Sequence, residues 1–70
     1  MNKKYYANID LYFEEMKYSI VGEVGTKKQE VLELVQDFAN ARKMECNSKT
    51  KKLFKDGNEV GSFIIDAKMI

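Results

Sequence analysis

Asn47 to Gly57 reads NSKTKKLFKDG, with four lysines and no acid before Asp56, in a chain whose net charge is only +1. Whether this stretch is one strand, and which way its lysines point, decides how the second half of the chain folds. Its end carries the plainest signal. Asp56-Gly57 accepts the positive φ angles of a two-residue type I′ hairpin turn. That turn sets Met44 opposite Met69, Cys46 opposite Ala67, Ser48 opposite Ile65 and Thr50 opposite Phe63, a face apolar enough to pack on a helix. The reverse face pairs Glu45 with Lys68, Asn47 with Asp66, Lys49 with Ile64, Lys51 with Ser62 and Leu53 with Val60. Lys49, Lys51 and Lys55 then point to an open face and Lys52 to the core side. Lysines on both faces describe an exposed edge strand, where charge blocks pairing with another chain. Phosphate or an acidic protein surface are the other contacts they could make. The more apolar last strand, EVGSFIIDAKMI, belongs inside the sheet.

Upstream of this hairpin, Val31, Leu34, Val35, Phe38 and Ala41 or Arg42 recur at spacings of three and four, widened by Leu32 and Ala39. The pattern predicts a helix from about Lys27 to Lys43, with Glu30, Glu33, Gln36, Asp37 and Asn40 in water. Thr26 and Gln29 stand at the spacing of a capping box. The preceding GEVGTKKQE, residues 22–30, has the glycines and lysines of a phosphate loop but not its spacing, since only two residues separate Gly22 from Gly25.

At the N-terminal end, Tyr5, Ala7, Ile9, Leu11 and Phe13 alternate in one phase and Met16, Tyr18, Ile20, Gly22 and Val24 in the other. A two-residue turn at Glu14-Glu15 sets Phe13 against Met16, Leu11 against Tyr18 and Ile9 against Ile20, and makes one face continuously apolar. The other face pairs Tyr12 with Lys17, Asp10 with Ser19, Asn8 with Val21 and Tyr6 with Glu23. A bulge in one long bent strand shifts the phase equally well.

Seventy residues make a single domain, 1–70, that buries only roughly 60% of the surface its unfolded chain exposes. At 44% hydrophobic and 33% charged, the composition is that of a folded domain. The near-zero net charge argues against a dedicated nucleic-acid binder. No apolar run approaches a membrane span and none follows the N-terminal lysines as in a secretory leader, so a cytoplasmic protein is expected. The lone Cys46 excludes an internal disulfide, and its place on the predicted core face makes it an inert thiol. There is no histidine, hence neither the commonest general base nor the commonest metal ligand. Glu14-Glu15 and the Glu30/Glu33 pair have no apolar pocket to raise a carboxyl pKa. No enzyme, metal or cofactor is expected.

One helix covers one face of a four-stranded sheet. Left open are Tyr6, Tyr12, Val21, Leu53, Val60 and Ile64, among Lys17, Lys49, Lys51 and Lys68. Contiguous apolar surface of this kind marks a partner or oligomer contact. The order strand, strand, helix, strand, strand, with the ending LFKDGNEVGSFIIDAKMI, resembles the small orphan proteins of phages and prophages, among them the Yopt family, and is similar in its economy to anti-CRISPR inhibitors. That resemblance implies an inhibitor or modulator of a host macromolecule.

We therefore expect an α+β domain, a four-stranded antiparallel ββαββ sheet of preferred order 1-2-4-3 backed by one helix. It is expected to bind a protein partner or itself as a homodimer through Tyr6, Tyr12, Val21, Lys49, Lys51, Leu53, Val60 and Ile64. The alternative is a single-stranded nucleic-acid binder that stacks bases on Tyr6 and Tyr12 while lysines track the phosphates.

Overall fold

The computed structural model describes residues 2–15 and 17–69. Along the chain run β1 (Lys3–Leu11), β2 (Lys17–Val21), α1 (Lys28–Ala41), β3 (Glu45–Asn47), β4 (Lys52–Lys55) and β5 (Asn58–Met69). The fold is α+β, with one helix against a five-stranded antiparallel sheet of order β2-β1-β5-β4-β3.

The fifth strand comes from the lysine-rich stretch, which is not one strand. Asn47 reverses the chain: its Oδ1 accepts the N–H of Lys49 at 3.0 Å and of Thr50 at 3.2 Å, while its carbonyl accepts that of Lys51 at 2.9 Å. An asparagine side chain that imitates a backbone turn in this way competes with strand continuation. Lys51 completes the turn at φ 60°. β3 then pairs with β4, Cys46 opposite Leu53, so the expected pairing of residues 44–51 with the last strand does not form.

β5 pairs with β4 along one edge, over residues 58–62, and along its other edge it takes β1. The two match over nine positions, from Lys3 opposite Met69 to Leu11 opposite Gly61. β2 has only five residues, too few for a ladder of that length, and becomes an edge. The expected order, with the second strand beside the last, is thereby corrected.

The first hairpin forms with its register moved by two residues: Ile9 faces Tyr18 and Ala7 faces Ile20. Instead of a tight Glu14-Glu15 turn, for which glutamate lacks the favoured positive φ, a longer loop leaves β1 with Glu14 N–H on the Leu11 carbonyl at 3.1 Å. The expected partner of Phe13, Met16, lies outside the described residues. A shift by two keeps the paired side chains of β1 and β2 on their expected faces, but Phe13, expected on the apolar face, lies past the pairing and is exposed.

In the last hairpin Asp56 and Gly57 have φ 52° and 80°, and Phe54 faces Glu59 as expected. Past that pair Val60 is an extra residue, and Leu53 faces Gly61 instead of Val60. A Cβ on residue 61 would come within 2.6 Å of the Asp10 carbonyl oxygen and 2.9 Å of Leu11 Cδ2. Only glycine fits there, where β5 passes close to β1.

The 14 residues of α1, about 21 Å, lie on one face of the sheet, with Val31 close to Gly22 at the end of β2 and the Phe38 ring 5.2 Å from that of Tyr18. Val31, Val35 and Ala39 close the core with Ala7, Ile9, Leu11, Met44, Leu53 and Phe63, and no described polar residue is buried. Each large side chain so buried contributes about 1.5–3 kcal/mol of transfer free energy. Leu34, expected in this stripe, is exposed. The expected capping box is absent: Lys27 is the N-cap without a side-chain bond, and Thr26 Oγ1 donates to the Glu23 carbonyl at 2.7 Å instead. Arg42 lies 4.0 Å over the Phe38 ring and 5.1 Å over Tyr18, clamping the helix end to β2.

Candidate interaction face

Strand pairing fixes which side chains share the face opposite the helix. On β1 these are Lys4, Tyr6, Asn8 and Asp10, since Ala7, Ile9 and Leu11 are buried. Their partners on β2 are Val21, Ser19 and Lys17, and on β5 Lys68, Asp66, Ile64 and Ser62. Lys52, expected on the core side, faces Ser62 and joins this face with Asn47, followed by Phe54 between Glu45 and Glu59.

The expected site residues separate into groups. Tyr6 and Val21 are direct neighbours, and Ile64 stands beside Asn8, diagonal to Tyr6. Val21 and Ile64 are 55% and 58% exposed, so this trio presents apolar surface to water. Tyr12 lies just past β1, 52% exposed, where its N–H continues the β1–β5 ladder to the Val60 carbonyl at 2.9 Å. The other four do not belong. The Val60 bulge turns Leu53 over, and it is fully buried in the core. Val60 itself packs half-buried against the core. Lys49 and Lys51 occupy the β3–β4 turn, where the Lys51 carbonyl accepts the Phe63 N–H of β5 at 3.0 Å and Lys51 Nζ folds back to the Ser48 carbonyl at 3.1 Å. The reading of these lysines as guards of an edge strand is corrected too: β4 is internal, and the edge is the three-residue β3, which carries no lysine.

Several members of this face were not singled out beforehand: Lys4, Phe54 and Glu59. Alternation of β1 marks Lys4 as open, but only the β1–β5 pairing sets it opposite Lys68. Glu59 accepts the Tyr12 hydroxyl at 2.7 Å and Lys52 Nζ at 3.3 Å, both on Oε2. The Tyr12 hydrogen bond, then that of Lys52, holds its carboxyl below the usual glutamate range. Between Lys4, Tyr6, Val21 and Lys68 the face dips into an open groove of about 690 Å³.

Lysines 4, 17, 52 and 68 share the face with Asp10, Glu45, Glu59 and Asp66, so its charges balance. A surface that steers polyanions carries a net positive field, and this one does not. Among the described residues no cluster of three metal-ligating side chains occurs, and no helix is long and apolar enough to cross a membrane. Glu14 accepts a hydrogen bond from the Tyr18 hydroxyl, while Glu30 and Glu33 are exposed on the helix. Compared with known protein families, curated proteins and solved structures, the chain matches none.

Proposed function

We propose that this chain is a small interaction domain that acts by occupying a protein surface, as an inhibitor or modulator does, with the open sheet face as its contact. One observation carries this: Tyr6 beside Val21, and Ile64 diagonal to Tyr6, turn apolar side chains to water across β2, β1 and β5, on the face the helix leaves uncovered. Binding desolvates such surface at little polar cost, and the charges around it suit a protein better than a polyanion.

A single-stranded nucleic acid is the second reading, favoured by Lys4 and Lys68 standing side by side next to Tyr6. Asp66, opposite Tyr6, weighs against it.

A photo-reactive amino acid placed at Ile64, and in a second variant at the helix position Gln36, tests the choice in cells making the protein. Crosslinks to protein from position 64 and not from position 36 are expected. Equal crosslinking from both, or none from position 64, would overturn the reading. Salt-sensitive binding of purified protein to oligonucleotides, lost in a Lys4→Gln/Lys68→Gln variant, would transfer the function to nucleic acid.

A further inference from the structure

We propose that the occupant of the open face is a second copy of this chain, turned end for end about a two-fold axis that lies between the sheets and crosses the strands at Ile64. This rests on the reading of the open face as a protein contact and names the chain itself as that protein, so any further protein would meet the dimer elsewhere.

The two ends of the face differ in charge. At one end Lys4 and Lys68 are direct neighbours; at the other, Glu59 and Glu45 flank Phe54, although Asp66 stands beside the first end and Lys17 and Lys52 stand towards the second. Ile64, the most exposed side chain of the apolar trio, stands between the ends. Lys68 is four residues from it in one direction, while Glu59 is five in the other with the Val60 bulge absorbing the difference. Both lie about 13 Å from the axis. Rotation about that axis therefore lays Lys68 on the second copy's Glu59, and Ile64 on its counterpart.

Of the neighbouring strands β1 agrees, while on β2 the rotation lays Val21 on the second copy's Lys17. On β1 the same rotation, centred on Asn8, carries Lys4 to the second copy's Tyr12, whose hydroxyl is already bonded to Glu59, and Tyr6 to its Asp10. Tyr12 and Lys52 both engage Oε2 of Glu59, which leaves Oε1 to meet the incoming ammonium. A two-fold axis parallel to the strands instead keeps each end in place, setting lysine on lysine and glutamate on glutamate. Charge thus selects one arrangement of two.

The size of the face suits this occupant. The molecule extends 42 × 22 × 20 Å, and the 12-residue β5 runs along its longest dimension. Its broad side is of the order of the roughly 800 Å² per partner that a standard interface uses. Sheets packed face to face in this way are a common architecture.

Sedimentation equilibrium of the wild type and three variants tests the proposal. The wild type is expected to dimerise at micromolar concentrations, and Ile64→Lys to abolish this by burying an unpaired charge. Glu59→Lys and Lys68→Glu, each placing two like-charge pairs in its own dimer, are expected to weaken association by about tenfold or more. Mixed in equal amounts, these two variants regain both opposite-charge pairs in a heterodimer, and association is expected to return to near the wild-type level. Circular dichroism confirms that each variant is folded, and Lys68→Glu removes no intramolecular bond if Glu59→Lys fails that check.

A wild type that stays monomeric to near-millimolar concentration overturns the proposal and leaves the interaction-face reading to its own crosslinking test. A dimer weakened by Ile64→Lys but indifferent to Lys68→Glu keeps the face and overturns this arrangement. A dimer indifferent to Ile64→Lys overturns both.

Discussion

Leu53 and Ile64 show how much hangs on a single residue. Both are large aliphatic side chains on strands, and alternation alone put both on the open face. One is fully buried and the other 58% exposed, because Val60 adds one residue and reverses the side on which everything beyond it on the pairing ladder meets β4. Leu53→Ala is therefore expected to cost about 2–5 kcal/mol in a urea titration, the range for truncating a buried leucine. Ile64→Ser in the monomer should stay within about 0.5 kcal/mol of the wild type. Cys46 fared better, since it faces the core side as expected, although its neighbour across the ladder is Leu53 instead of Ala67. Burial pushes its thiol above the ordinary value, against a smaller opposing pull from Lys51. Because only the thiolate attacks, a thiol reagent should label native protein more slowly than urea-unfolded protein at neutral pH. The gap should narrow as pH rises through the raised pKa. Equal rates at neutral pH would place Cys46 in water.

At the scale of elements, α1 was legible in its middle and hidden at its ends. The repeat of Val31, Val35 and Ala39 needs only the 3.6-residue period to be seen. Its termini lack the residues that usually mark them. At the C-terminal end, Met44 N–H returns to the Ala39 carbonyl at 2.8 Å and Lys43 N–H to the Asn40 carbonyl at 3.0 Å, a Schellman closure. The residue that must turn left-handed there, at φ 57°, is Lys43 and not glycine. Lys43→Gly should raise stability by about 1 kcal/mol, since only the side chain's clash with the backbone is relieved. At the other end, Lys27 occupies the cap without a side-chain bond and opposes the helix dipole. Lys27→Asp should stabilise by about 1 kcal/mol, whereas Thr26→Ala should fall short of the usual loss of a capping residue. Thermal unfolding of the three variants reads these effects, and a full capping loss on Thr26→Ala would restore the capping box.

For the whole molecule, the decisive event is the alignment of β1 with β5, the two strands farthest apart in sequence. Gly61 sets it, because β1 passes too close for any side chain at that point. Gly61→Ala is expected to destabilise by about 1–3 kcal/mol, as overpacking does, and to speed hydrogen exchange at β1 amides more than at α1 amides. Uniform loss of protection would mean that the clash is absorbed without disturbing the ladder. The sequence by itself determined the helix, the Asp56-Gly57 turn and most of the apolar set that fills the core, and it offered the first hairpin beside one long bulged strand. These are local: periodicity and turn chemistry act within a few residues and do not depend on which strands later become neighbours. Tertiary structure alone decided the central place of β1, the burial of Leu53 and the meeting of Lys4 with Lys68 at one end of the open face. The reason is competition. β5 has two edges: the Asn47 turn shortens what β4 offers to one of them, and at the other the nine-position match of β1 wins over the five residues of β2.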